Sequence, residues 1–84
     1  MRVALIDPSF YHQGTLVKLR RIGYFPLTLA RLAACFPPET QIDLWYEKCQ
    51  DVPLDQPYDL VFFTTMGSNL VRAEELSAEF RRRS

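Results

Sequence analysis

Two unbroken apolar runs stand out along the chain, Val3-Ala4-Leu5-Ile6 and Leu60-Val61-Phe62-Phe63. A short continuous run of this kind suits a strand covered on both faces, as in a parallel sheet. Asp7-Pro8 ends the first run, because proline brings no ladder donor. The strands expected from these runs are Val3–Asp7 and Leu60–Thr65. Between them, Gln41–Glu47 alternates polar with apolar residues, with Trp45 breaking the pattern, which predicts an edge strand with one wetter face. Helical spacing appears twice. Leu29, Leu32, Ala33 and Phe36 form one apolar face, opened by Pro26 at a first-turn position and stopped by Pro37-Pro38. Leu70, Ala73, Leu76 or Ser77, and Phe80 form another, with Ser68 or Asn69 as its cap and Glu79 within reach of Arg82 or Arg83. Lys48–Tyr58, with Pro53 and Pro57, reads as a loop with one turn near Val52–Asp55. Ser9–Tyr24 reads as a long loop carrying Gly14 and Gly23.

The order is therefore strand, helix, strand, short connection, strand, helix. Right-handed crossovers place the first strand between the other two. The expected fold is α/β, a Rossmann-like (flavodoxin-like) parallel sheet with strand order 2-1-3. In such sheets ligands sit where strands end and the chain passes toward helices. The loops Pro8–Phe25 and Met66–Ser68 then share one rim. Leu60–Phe63 falls at an edge, a poor place for so apolar a strand. A further strand is expected to pair there, from downstream sequence or from a second copy of the chain. The 84 residues read as a single domain and as the N-terminal piece of a longer doubly wound one.

Composition is that of a globular domain, 48% hydrophobic and 24% charged, with a formal net charge of zero. A neutral balance gives no overall pull toward nucleic acid, and Arg81-Arg82-Arg83 at a helix end reads as a complement to the helix dipole. The first loop is basic: His12, Lys18, Arg20 and Arg21 occur there, with no acid between Pro8 and Arg31. That loop either meets an anionic ligand or is a solvated surface. Cys35 reads as a small core residue, and Cys49 lies in a polar connection. Two unmatched cysteines without a secretory segment or a membrane span point to the cytoplasm.

Four segments in order, "RVALIDPSF", "GYFPLTLARLAACF", "IDLWYE" and "YDLVFFTTMGSN..RAEELSAEF", resemble the start of the cobalamin-binding-type domain of radical S-adenosylmethionine enzymes. The likeness covers almost the whole chain. It implies a corrin lying over the strand ends, held at one rim by Asp7, Pro8 and Ser9 and at the other by Thr64, Thr65 and Met66. Tyr11, Tyr24 and Phe25 could pack on a planar ligand. Small hydroxyl residues suit a macrocycle that needs close approach and carries many neutral amides. It also implies that the iron–sulfur cluster, S-adenosylmethionine and the catalytic barrel belong to a downstream domain.

The chain departs from that family in several places. Thr28 stands where the family helix has Gly. The "D-x-H-x-x-G" motif of a cobalt-ligating histidine is absent, since Ser9 takes the histidine position and His12 and Gly14 fall out of register. Cys35 and Cys49 do not make a three-cysteine cluster motif, and neither a phosphate loop nor a dinucleotide fingerprint occurs. A phospho-receiver is disfavoured, because Thr64 holds the position of its aspartate. No catalytic set is expected in the chain, and no metal ligand is assigned. The competing reading is a non-catalytic Rossmann-like remnant that acts in self-association or domain contact.

Overall fold

A computed structural model describes residues 1–18, 27–65 and 67–83. Its centre is β1 (Arg2–Asp7), flanked by β4 (Gln41–Tyr46) on one side and β5 (Leu60–Phe63) on the other. Both pairings are parallel, with Leu5 level with Leu44 and with Phe62. The order β4-β1-β5 is 2-1-3 along the chain, as the crossover rule requires. The architecture is a small α/β unit of Rossmann-like form.

Strand alternation divides the core between two faces. Val3 and Leu5 point to the side of α1 (Leu27–Ala33) and pack with Leu29, Leu32, Phe36, Ile42 and Leu44. Ala4 and Ile6 point to the side of α2 (Leu70–Arg83) and pack with Leu76, Phe80, Val61, Phe63 and Trp45. All four residues of the first apolar run are fully buried. Near the start of the strands, Tyr58 donates to Asp43 at 2.8 Å and accepts from the Trp45 indole at 3.0 Å.

Several sequence expectations are corrected. Pro8 and Ser9 are followed not by plain loop but by a hairpin of β2 (Tyr11–His12) and β3 (Thr15–Leu16). Gln13 and Gly14 at its tip both have positive φ, 52° and 80°, the geometry whose twist matches a two-residue hairpin. The strand expected over Leu60–Thr65 ends at Phe63. Only one face of that strand is well covered: Leu60 and Phe62 stay 42% and 41% exposed, although Phe36 packs edge-on against Phe62. Cys35 is exposed rather than in the core, and Leu70 does not join the buried stripe of α2. That helix is preceded by a short 3-10 turn, η1 (Gly67–Asn69), and Glu79 pairs with both Arg82 and Arg83. Pro26, Arg20, Arg21, Tyr24 and Phe25 lie outside the described residues.

Candidate functional site

The chain leaves β1 for β4 on one side and returns to β5 on the other. The crevice between the carboxyl ends of β1 and β5 is thus the topological switch point, where open α/β sheets place their ligands. Asp7 ends β1 there, and Thr64 follows β5. The Thr64 hydroxyl donates to Asp7 Oδ1 at 3.0 Å, and the Thr64 amide donates to Ile6 O at 2.9 Å. Asn69, buried in η1, joins the two strand ends by donating through Nδ2 to Pro8 O at 3.2 Å and Thr64 O at 3.5 Å.

Behind this rim lies a buried ionic clamp. Glu47 follows β4 and extends its ladder by one bond, its amide donating to Asp7 O at 3.0 Å. Its side chain is only 2% exposed and accepts from the Ser9 amide at 3.0 Å. The Arg72 guanidinium grips both carboxylate oxygens, with Nη2 2.7 Å from Oε2 and Nε 3.0 Å from Oε1. Two-pronged charge-assisted contacts of this sort are strong and directional. They hold the arginine firmly protonated, its pKa raised chiefly by the Glu47 contact. Arg72 also reaches Glu75, which accepts from the Tyr11 hydroxyl at 2.5 Å, so α2, β4 and the hairpin are tied together. Lys18 completes the tie by donating to Glu47 O at 2.7 Å and to Asp51 at 3.1 Å.

The sequence-derived site residues fall into two groups. Asp7, Thr64 and Thr65 line the crevice, with Thr65 exposed and the other two half-buried. Pro8 and Ser9 are buried beneath it, and the Ser9 hydroxyl is used up in donating to Val17 O at 2.6 Å. Tyr11 is brought not to the crevice but to α2. Met66 lies outside the described residues. Gly67 opens the next element with nothing within 4 Å of the place a Cβ would take. Glu47 and Arg72 were missed in the sequence. The available signal was the phase of α2: Arg72 adjoins Ala73 and precedes Leu76 by one turn, on the side turned to the sheet.

Asp7 is the electrostatically tense member of the site. Partial burial raises its pKa, while the Thr64 hydroxyl and the nearby Lys48 ammonium pull it down, and the net shift is upward. Asp7 therefore contributes stability below its unfolded pKa of about 3.9, and that contribution is lost as pH rises through the higher folded value. Asp7→Asn, which keeps an acceptor for Thr64, is expected to raise the urea midpoint at pH 7. The gain should shrink toward zero at about pH 3, below that unfolded value. A lower midpoint at pH 7 would contradict this.

Among the described residues no cluster of His, Cys, Asp or Glu could hold a metal ion, and no helix is long and apolar enough to cross a membrane. Comparison with protein-family models, curated proteins and solved structures returns no match.

Proposed function

We propose that this chain is the cobalamin-binding-type module of a radical S-adenosylmethionine enzyme, presenting a corrin seat at the crevice between β1 and β5. The observation that carries the reading is the Asp7–Thr64 pair at the switch point of a 2-1-3 parallel sheet. The donor set fits a macrocycle edged with neutral amides. The Asp7 carboxylate can accept from an amide N–H, the Thr65 hydroxyl can donate or accept, and Gly67 leaves open space. Pro8 and Ser9 support the seat from below rather than touching the ligand, since both are fully buried.

The bound cofactor would supply the methyl-transfer or radical chemistry, and the protein would supply binding and orientation. No step of that chemistry falls to the 84 residues themselves. The iron–sulfur cluster and S-adenosylmethionine would be held by a barrel domain of the parent enzyme, in the cytoplasm.

The test is direct. Purified protein mixed with hydroxocobalamin and desalted should keep the pink corrin absorbance. Thr65→Trp, which fills the crevice from an exposed position, should lower retention at least about tenfold, a loss of 1.4 kcal/mol. A colourless wild-type protein after desalting would reject the seat.

A further inference from the structure

Among the described residues no strand pairs with the outer edge of β5. The Thr64 amide points to β1, and peptide groups alternate along a strand. Phe62 therefore turns its N–H and C=O toward β1, whereas Val61 and Phe63 turn theirs outward. Leu60-Val61-Phe62-Phe63 contains no charge or proline, the usual guards against edge pairing. Leu60 and Phe62 remain two-fifths exposed on the α1 side. On the α2 side, a groove of about 780 Å3 runs along the same edge, floored by Val61 and Phe63 and walled by Ser77, Phe80 and Arg81.

We propose that β5 pairs antiparallel with β5 of a second copy, about a two-fold axis through Phe62. Only an even sum of paired residue numbers keeps the two α1 faces on the same side of a joint sheet. Phe62 opposite Phe62 of the other copy sets Val61 opposite Phe63, and that register satisfies both outward N–H and both outward C=O groups of each chain. Centring on Val61 instead would leave Phe63 to pair with Asp59, outside the strand.

The wall of the groove is complementary to its own copy across that axis. The axis of α2 runs opposite to β5, from Asn69 beside Pro8 at the rim to Phe80 against Tyr58 below the strand start. Glu74, Ser77 and Arg81 lie on one stripe of it, and Ser77 lines the same groove as Val61 and Phe63. Two such helices brought together in opposite directions about Ser77 and Ala78 set Glu74 of each against Arg81 of the other. Small residues sit at the centre of that contact, with opposite charges on either side. The two rims then lie at opposite ends of the joined sheet, so each crevice stays open and this inference stands apart from the corrin seat.

Sedimentation equilibrium on the full chain should show a monomer–dimer equilibrium with a Kd below about 1 mM, the weak limit of specific pairing. In a Cys35→Ser, Cys49→Ser background, Phe62→Cys should cross-link under mild oxidation, because facing residues of such a pair have Cα atoms about 4.5 Å apart. Val61→Cys, lying diagonally at about 7–8 Å, should not. Glu74→Arg and Arg81→Glu should each weaken the dimer at least about threefold, and the double reversal should restore it. Far-ultraviolet circular dichroism confirms that each variant keeps its helices. A folded monomer at all concentrations, equal cross-linking at both positions, or a double reversal no better than the singles would overturn the proposal.

Discussion

Glu47→Ala is expected to destabilise the protein by about 3 kcal/mol or more, the range seen when one partner of a buried ion pair is removed. The reason is what stays behind. The carboxylate is almost wholly buried and takes donors from Ser9 and Arg72. Without it the Ser9 amide loses its acceptor, and a guanidinium whose side chain is only 23% exposed keeps its charge without its chief counterion. A chain of this length has about 4–12 kcal/mol of stability in all, so the variant should approach unfolding near body temperature. The midpoint of thermal unfolding should fall by roughly 12–24 °C.

Glu47→Gln keeps the shape and an acceptor for Ser9, and should lose clearly less. Pairing Glu47→Ala with Arg72→Met removes both charges together and should recover part of the loss, giving a coupling of about 1–3 kcal/mol in a double-mutant cycle. Because the pair is shielded, 0.5 M salt should change the result little. A Glu47→Ala midpoint within a degree or two of wild type would show that the clamp does not hold the hairpin, β4 and α2 together.

Leu76→Ala is expected to cost about 2–5 kcal/mol, from lost burial and the cavity left in its place. Leu76 is 2% exposed and is the one fully buried aliphatic side chain that α2 sends against Ala4 and Ile6. The neighbouring Ala73 is too small to fill the gap, and Phe80 is engaged with Tyr58 at a centroid distance of 6.4 Å. The urea midpoint should fall without a large change in slope if the helix remains docked. An exposed control on the same helix, Val71→Ala, should lie within about 0.5 kcal/mol of wild type. Equal effects at the two positions would mean that α2 is turned differently on the sheet.

The sheet was readable because burial and composition agree in β1. Four consecutive apolar residues need cover on both faces, and crossover handedness then leaves one order for three parallel strands. The rim followed from that order, so Asp7 and Thr64 were placed together although 57 positions apart. The phase of α2 turns Arg72 toward the sheet, but its pairing with Glu47 was not readable. Glu47 and Arg72 sit in segments whose spacing along the chain says nothing of contact, and an ion pair leaves no periodic trace.

The hairpin was obscured for a different reason. Its strands are two residues each, and Gln13 in a left-handed conformation gives no warning, so only Gly14 hinted at a turn. Cys35 misled because it follows an apolar helical stretch, yet α1 ends at Ala33 and the chain has already turned outward. Leu60 and Phe62 stay two-fifths exposed, less covered than their hydrophobicity led one to expect.

The central claim is that the β1/β5 crevice receives the ligand. Titrating 15N-labelled protein with hydroxocobalamin and following its amide resonances tests it at each residue. Shifts should gather at Asp7, Ser9, Thr64, Thr65 and Gly67, with the amides of β4, of Tyr58 and of Phe80 unmoved. Shifts centred on the groove beside Phe63 and Phe80, or no shifts at all at saturating cofactor, would contradict it.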